Sequence, residues 1–295
     1  MERLYIIDGA KRSGTHFLNR LLDGHPQLAN TINESYIFEY YSGIDEIQEK
    51  HFLDWLSSNS ASTIYHDISK RQLLPCFTSE NAYDSAFKDM DLKFNMNFNP
   101  ELFYEGFQKS LPEIDSVSKL VNSWLDILGS FDPWRELDKP FNWVIKCAHF
   151  GDSVVGADKA KNNFSFVFMV RDPIDIMNSI KRLREREQGR EFHVFELIEI
   201  CSALENTVSI LESTESDYLI VRYEDLIADK TSVTQNICEF FQIRWFPELT
   251  EPTLLGSPWK TNSSFIGELR TNVLNDHEMD LINSATAGYR QFFKY

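Results

Sequence analysis

Short, almost wholly apolar runs recur along the chain and predict the strands of a buried sheet. They occupy residues 3–8, 141–147, 164–170 and 217–222. Strands that consist of continuous apolar runs are typical of parallel sheets covered on both faces. Helical patterns follow between and after them, at residues 151–161, 173–188, 192–214, 230–243 and 276–287. This alternation predicts an α/β fold with a central parallel sheet flanked by helices.

Residues 35–140 interrupt this rhythm, because they are rich in aromatic residues and asparagine and show no clear strand. We interpret them as a helical insertion between the first and second core strands. The insertion is expected to pack over the active edge of the sheet and to bind the acceptor. No linker or internal repeat separates it from the rest, so residues 1–295 are predicted to form one domain.

Composition narrows the classes of function. The chain has 295 residues, 42% of them hydrophobic, and a formal net charge of −16. Such an acidic surface repels nucleic acid and anionic membranes, so neither is an expected partner. An anionic ligand would therefore need its own local cluster of positive charge. The sequence carries no signal for an oligomeric state.

The four cysteines, Cys76, Cys147, Cys201 and Cys238, are widely spaced and form no CxxC pair. We expect reduced thiols and no metal site. No apolar run approaches the roughly 20 residues that span a bilayer. The first strand pattern begins directly after Glu2, which leaves no room for a signal peptide. These features predict a cytoplasmic protein.

A phosphate-binding loop follows the first predicted strand. Gly9 and Gly14 have the spacing of a P-loop, whose backbone N–H groups hold phosphate oxygens. A nucleotide-hydrolysing P-loop continues with Lys and then Ser or Thr, whereas Thr15 and His16 follow here. The cations, Lys11 and Arg12, lie inside the loop instead. Such a loop suits a phosphate joined to a sulfate, with no metal, better than a triphosphate with magnesium.

The motif Arg12-Ser13-Gly14-Thr15 resembles the first cofactor loop of the sulfotransferases that use 3′-phosphoadenosine-5′-phosphosulfate (PAPS). The resemblance implies a single P-loop sulfotransferase-like domain that transfers a sulfuryl group from PAPS and releases 3′,5′-adenosine bisphosphate (PAP). It also implies that cofactor contacts come from a contiguous set of residues: Lys11, Arg12, Ser13, Gly14, Thr15 and His16.

Later segments resemble the same family. Arg171-Asp172-Pro173 ends the third predicted strand, and Ser179 follows Arg171 by eight residues, as in the family's site for the cofactor's 3′-phosphate. The resemblance places Tyr223 or Trp259 near the adenine base. It places Lys260 near the 3′-phosphate. It assigns Asn262 and Ser263 to the late loop that closes over the cofactor.

The acceptor must lose a proton, and the family offers precedents for two bases. Glu34 lies after His25-Pro26 in a region where some sulfotransferases carry a catalytic glutamate. His149 follows Lys146 with one residue more than the Lys-x-His spacing of cytosolic enzymes. We favour Glu34, keep His149 as the alternative, and regard Glu39 as a third option. Lys11 and Arg12 are expected to stabilise charge on the transferring group.

The acceptor, the class of enzyme and the presence of catalysis each have an alternative. The many carboxylates of the insertion favour a small polar acceptor, and among these a cationic, guanidinium-bearing natural product that is sulfated on a hydroxyl or amine. A sugar or glycolipid hydroxyl is the alternative. A P-loop kinase that uses ATP and magnesium is the rival enzyme. A nucleotide-binding module without catalysis is the rival from another class.

Overall fold

Five parallel strands form the centre of the molecule in a computed structural model that describes residues 4–76, 98–131, 138, 141–160, 164–254, 257–259 and 272–295. The strands are β1 (Leu4–Gly9), β2 (Leu28–Glu34), β3 (Asn142–Lys146), β4 (Ser165–Val170) and β5 (Asp217–Arg222). Their order across the sheet is β2-β3-β1-β4-β5. Because all five run in the same direction, the segments that follow them meet at one carboxyl edge.

Helices connect the strands and cover both faces of the sheet. They are α1 (Thr15–Leu22), α2 (Ile37–Ser42), α3 (Glu46–Ser58), α4 (Ala61–Lys70), α5 (Pro100–Ser110), α6 (Val117–Gly129), α7 (Asp152–Lys159), α8 (Pro173–Arg182), α9 (Val194–Ser213), α10 (Tyr223–Ala228), α11 (Lys230–Phe240), α12 (Asp276–Ala285) and α13 (Ala287–Phe293). A π-helical stretch, Leu183–Glu187, continues α8, and Leu111–Glu113 and Pro247–Thr250 are short 3₁₀ turns. A small antiparallel pair, β6 (Thr253–Leu254) and β7 (Ser257–Pro258), follows α11.

Alternate residues of the strands pack into two separate cores. On one face Ile6, Ile145 and Phe168 join the helices of residues 37–129 in a single cluster. On the other face Ile7 and Val167 pack against α1 and α11. Each such side chain is fully buried, and burial contributes about 1.5–3 kcal/mol per large aliphatic residue. The apolar strands of the sequence therefore form the middle layer of a three-layer fold.

The predicted α/β fold is confirmed, with one correction. Strand β2 is absent from the sequence prediction, so the helical insertion begins after the second strand along the chain and ends before the third. The strand is polar, and its buried Asn30 donates to the backbone O of Asn19 at 3.0 Å and to its Oδ1 at 2.9 Å. Asn19 in turn donates to the backbone O of Thr31 at 2.8 Å. These side-chain bonds make burial of a polar strand tolerable, which an apolar pattern cannot reveal.

The described part of the insertion consists of helices joined by turns and shares its core with the sheet. Tyr65 of α4 stacks on Trp124 of α6 with ring centres 5.4 Å apart. Helix α2 packs on α7 at Gly156, where an added Cβ would lie 1.9 Å from the backbone O of Phe38. This close approach brings the first residues of the insertion against the segment after β3.

None of the four cysteines, all of which the structure describes, forms a disulfide. Cys147, Cys201 and Cys238 are buried, and burial raises the pKa of each of these thiols. Among the helices described, none combines the length and hydropathy needed to cross a bilayer.

Candidate active site

The loop Gly9–Gly14 joins β1 to α1 and presents backbone N–H groups at the start of that helix. Gly14 has φ 104°, and an added Cβ would lie 2.4 Å from Cδ2 of Tyr223. Only glycine suits both the backbone angle and this contact. Ser13 N donates to Ala10 O at 3.0 Å and closes the turn. The side chains of Lys11 and Arg12 are exposed at the tip.

The second predicted phosphate element meets this loop directly. β4 is the sheet neighbour of β1, so the turn that follows it lies beside the loop. Arg12 Nε donates to Ser179 Oγ at 2.9 Å, and Arg171 Nη1 donates to Arg12 O at 3.2 Å. Three residues drawn from two distant motifs thus form one cationic cluster.

Tyr223 lies between the two elements. Its ring fills the space beside Gly14, and the Arg171 guanidinium carbon lies 4.3 Å from the ring centre. Cation–π contacts of this kind contribute about 0.5–2 kcal/mol and orient the guanidinium. Tyr223 therefore supports both the loop and the arginine.

Trp259 lies against α1, next to His16 and Arg20. Its ring centre is 5.6 Å from that of His16, and Arg20 Cζ lies 6.0 Å from the Trp259 ring. Thr15, at the first position of α1, is buried. Lys260, Asn262 and Ser263 lie outside the described residues, so their assignment to the cofactor stays a prediction.

A second cluster, which we call the proton-accepting corner because it holds the three predicted bases, comprises Glu34, His149 and Glu39 together with Tyr36 and Lys146. Glu34 ends β2 opposite Lys146 at the end of β3. Lys146 Nζ lies 3.4 Å from Glu34 Oε1, and Tyr36 OH donates to Glu34 Oε2 at 3.1 Å. Burial acts to raise the pKa of Glu34, but Lys146 and Tyr36 outweigh it and hold the pKa below its ordinary value. The carboxylate is thus ionised at neutral pH.

His16 adjoins this corner at the base of the loop. Lys146 Nζ lies 3.1 Å from His16 Nδ1. Because an ammonium group only donates, Nδ1 accepts and the ring proton lies on Nε2. Burial first, and then the charges of Lys146, Arg20 and Arg12, lower the pKa of His16 to about 2. His16 is therefore a neutral partner of Lys146.

His149, the other candidate base, lies in the same corner but deeper. Its side chain is only 2% exposed, against 30% for Glu34. Nδ1 lies 2.9 Å from Glu39 Oε2, and the ring packs 4.5 Å from that of Tyr36. Burial, together with the positive charges of Lys11 and Lys146, lowers the pKa of His149 to about 4 despite the nearby Glu34. The imidazole is neutral at physiological pH.

Comparison with known proteins places this arrangement in a family. Residues 5–247 match the model described as the sulfotransferase family. The chain belongs to the sulfotransferase family. A search of curated proteins gives no match.

Two solved sulfotransferases share the fold. The sulfotransferase domain from the curacin biosynthetic pathway has a TM-score of 0.53 and 16% identity, and the likeness covers 100% of this chain and 98% of that one. The sulfotransferase from Alicyclobacillus acidocaldarius has a TM-score of 0.51 and 12% identity, with 100% and 96% covered. At such low identity the likeness concerns the fold alone.

The residues of this sulfotransferase fit a nucleotide that carries phosphate and sulfate. Ser13 Oγ and Arg171 Nε are buried and have no hydrogen-bond partner within the protein. Buried polar atoms without partners are rare, and at a helix N-terminus beside exposed cations they suit anionic oxygens. Within the described part of the chain, no group of three or more His, Cys, Asp or Glu residues could hold a metal ion.

One motif residue has a structural role. His25 belongs to the motif that precedes Glu34, the favoured base, and its side chain is fully buried. Its Nδ1 accepts from Gln27 N at 3.0 Å, and its Nε2 lies 2.6 Å from Arg244 O. A ring with one acceptor and one donor nitrogen satisfies both contacts. His25 therefore holds the turn before β2 and only indirectly places Glu34.

Sequence reasoning missed two residues of this site. Asp8 Oδ1 accepts from Gly9 N at 2.6 Å and from His149 N at 3.0 Å, so it ties the loop to the segment after β3. Burial raises the pKa of Asp8 to about 6. A charged residue ending an apolar strand was the available signal. Tyr36 carries no comparable signal, since only its contacts with Glu34 and His149 reveal it.

Proposed function

We propose that this sulfotransferase transfers a sulfuryl group from PAPS to a hydroxyl or amine of a small polar acceptor. The observation that carries the proposal is the meeting of Arg12, Arg171 and Ser179 at the end of a loop without the P-loop Lys-Ser/Thr pair. When bound, PAPS supplies the sulfuryl group, which passes in line to the acceptor and leaves PAP.

The chain divides the recognition of the nucleotide between its two loops. The N–H groups of residues 11–16 other than that of Ser13, with the Ser13 and Thr15 hydroxyls and the Arg12 guanidinium, hold the phosphosulfate end. Arg171 and Ser179 hold the 3′-phosphate. Arg12 and Lys11 stabilise negative charge that develops during transfer, which is commonly the largest contribution in such reactions. No metal takes part in this proposal.

Glu34 is the proposed base. Its carboxylate is ionised and partly exposed beside the loop, so it can accept the proton of an acceptor bound there. Lys146 and Tyr36 hold its two oxygens and so orient the carboxylate. His149 stays the alternative, since it is neutral and lies in the same corner, but its burial limits access to an acceptor.

The acceptor is proposed to be cationic. The side chains of Glu34 and Glu39 are both partly exposed. Burial has the largest effect on the pKa of Glu39 and raises it, and the negative charge of Asp152 raises it further. This concentration of carboxylates, next to the insertion at residues 35–140, favours a guanidinium or amine on the acceptor over an anionic group. A solved relative of the fold comes from the curacin biosynthetic pathway, which supports natural product biosynthesis as the setting. A sugar or glycolipid hydroxyl is the alternative.

Salt dependence separates the two acceptor classes. Michaelis constants of candidate acceptors are measured at low and high ionic strength. A cationic acceptor should bind several-fold more weakly at 1 M salt, where the Debye length falls to about 3 Å. A sugar that turns over equally well at both ionic strengths would replace the cationic proposal.

The proposed partners follow from charge, and the cytoplasmic location is proposed from the widely spaced cysteines, which are expected to be reduced thiols. With a net charge of −16, the protein is proposed to act in the cytoplasm on a diffusing acceptor, without nucleic acid or membrane as a partner. Sedimentation with anionic vesicles or with DNA at low salt tests this, and co-sedimentation with either would contradict it.

Calorimetry with PAP in the absence of divalent metal tests the donor site, with ATP and magnesium as the comparison. We expect PAP to bind with micromolar or tighter affinity. Arg171→Ala should weaken binding roughly 30- to 100-fold, the range of a charge-assisted hydrogen bond or two. Arg190→Ala, which removes an exposed arginine paired only with Glu196, is the matched control and should leave the affinity unchanged. Binding of magnesium ATP alone would favour the kinase instead.

A further inference from the structure

The last helix, α13, forms hydrogen bonds with the turn Arg171–Asp172. Asp172 Oδ1 accepts from Ile174 N at 2.8 Å and so caps α8. The same oxygen accepts from Arg290 Nη1 at 3.0 Å. Arg290 belongs to α13, which is far from the turn in sequence. One carboxylate oxygen therefore joins the second phosphate element to the last helix.

A second connection reaches the backbone of the turn. Asp172 N donates to Glu224 Oε1 at 3.1 Å, and Tyr295 OH donates to Glu224 Oε2 at 2.9 Å. The Arg222 guanidinium carbon lies 4.5 Å from the centre of the Tyr295 ring and holds that ring in place. Glu224 thus acts as a rigid bridge between Tyr295 and the turn.

A third contact comes from Tyr289, which is buried. Its hydroxyl lies 3.4 Å from both the backbone N and the backbone O of Arg171. Its own backbone N donates to Glu205 Oε1 at 2.9 Å, which anchors α13 on α9. The peptide groups on both sides of Arg171 are therefore bonded to side chains of other elements.

These contacts fix the backbone of Arg171, while its side chain faces the loop Gly9–Gly14. A binding arginine contributes most when its position is set before the ligand arrives, because little conformational entropy is then lost on binding. The side chains that hold the turn, those of Arg290, Glu224 and Tyr289, are not among the residues proposed to bind the nucleotide. Their common effect is on the position of the turn.

We propose that Tyr295, Glu224 and Arg290 are positioning residues that preorganise Arg171 for the 3′-phosphate, and so set the preference for a 3′-phosphorylated nucleotide. This inference rests on the proposed function. It goes further in assigning nucleotide selectivity to residues outside the two phosphate loops: Arg290 of α13, Tyr295 after that helix and Glu224 of α10.

The ratio of two dissociation constants tests the inference. Calorimetry with the full chain compares PAP with 5′-AMP, which lacks the 3′-phosphate. Tyr295→Phe removes one hydroxyl and should reduce the preference for PAP about five- to tenfold, which is less than the loss of a charged hydrogen bond to the nucleotide itself, because the hydroxyl acts on Arg171 through Glu224. The double variant Tyr295→Phe with Arg290→Gln should reduce it further. Affinity for 5′-AMP should not change.

Tyr41→Phe is the matched control, because it also removes a tyrosine hydroxyl bonded to a glutamate, here Glu49 of the insertion. It should leave the ratio as in the wild type. Equal weakening of PAP binding and 5′-AMP binding in the Tyr295 and Arg290 variants, with a lower melting temperature, would mean that these residues only stabilise the fold. That result would overturn the inference. An unchanged ratio in the double variant would overturn it as well.

Failure of the proposed function gives a different result. If the wild-type protein shows no preference for PAP over 5′-AMP, the 3′-phosphate site itself is refuted, whatever the variants do. If the wild type prefers PAP and the variants do too, the site stands and only the role of the last helix is lost.

Discussion

The two halves of the site differ in how they are built. The edge proposed to bind phosphate, which comprises residues 9–16 with Arg171 and Ser179, comes from two short motifs, each at the end of one strand, and its Lys11 and Arg12 side chains are exposed. The proton-accepting corner also comes from the ends of two strands, at residues 34–39 and 146–149, but its side chains are buried or half-buried and bonded to each other. Backbone geometry dominates the first half, while coupled side-chain charges dominate the second.

This difference has consequences for substitutions. At Arg171 and Ser179, a changed side chain should affect nucleotide binding without disturbing the corner. In the corner, Lys146 lies within reach of both Glu34 and His16, so one substitution alters several protonation equilibria. Variants in the two halves should therefore separate into binding effects and effects on rate and pH dependence.

The largest expected effect is on turnover. Glu34→Gln keeps the shape of the side chain but removes the base, and should lower the rate of sulfuryl transfer by about 10²- to 10⁴-fold. Affinity for PAP should not change. Initial rates with labelled PAPS and saturating acceptor measure the first quantity, and calorimetry measures the second.

His149→Gln serves as the comparison and should reduce turnover much less. The reverse order, with His149→Gln inactive and Glu34→Gln active, would transfer the role of base to His149. Melting temperatures of both variants show whether removal of a buried group has disturbed the fold.

The next largest effect concerns the edge. Gly14→Ala adds a Cβ 2.4 Å from the Tyr223 ring at a positive φ of 104°. The ring must move and take the Arg171 guanidinium with it, so PAP affinity should fall about tenfold or more, as expected when a charge-assisted bond is misplaced. Calorimetry provides the measurement.

Gly189→Ala separates backbone strain from this contact. Gly189 also has positive φ, 60°, but an added Cβ meets nothing within 4 Å. The variant should cost about 1 kcal/mol of stability through strain and leave PAP affinity intact. Equal losses of affinity in both variants would show that Tyr223 does not transmit the effect.

A smaller effect should appear in the pH dependence of the rate. Lys146 holds the pKa of Glu34 below its ordinary value against burial. In Lys146→Met burial acts unopposed by that charge, so the pKa of Glu34 rises. The reaction needs ionised Glu34, and the acid limb of the pH–rate profile should therefore move to higher pH.

Lys119→Met is the control, because Lys119 is exposed and paired with Asp115 on the surface. Its profile should coincide with that of the wild type. An acid limb that stays in place in Lys146→Met would separate Glu34 from proton transfer.

The smallest effect is on stability. Burial raises the pKa of Asp8 from 3.8 to about 6. The protonated form is thus favoured in the folded state, so its stabilising contribution is complete below pH 3.8 and is lost as the pH rises to about 6. Asp8→Asn accepts the same two backbone bonds without titrating. The melting temperature of the variant, relative to that of the wild type, should therefore rise by ~2–4 °C between pH 3.8 and about 6.

Melting curves at several pH values measure the gain. The exposed Asp54→Asn variant should follow the wild type throughout. A constant difference between Asp8→Asn and wild type at every pH would mean that Asp8 does not titrate in this range.

The amino-acid sequence by itself determined the four apolar strands, the helices that follow them and the two loops that are proposed to bind phosphate. These features depend on local rules, since continuous apolar runs form buried strands and the residues of a phosphate loop are contiguous. Arg12, Gly14, Arg171 and Ser179 could be named for this reason. The sequence also brought Glu34 and His149 forward as candidate bases.

Only the tertiary structure decided how these residues meet. Strand β2 is polar, and its burial depends on hydrogen bonds between Asn19 and Asn30 that no periodicity shows. Its place beside β3 sets Glu34 opposite Lys146. The contacts of Asp8, Tyr36 and Tyr295 likewise join segments far apart along the chain. Such contacts follow from how strands and helices are arranged in space, and residue order along the chain does not record that arrangement.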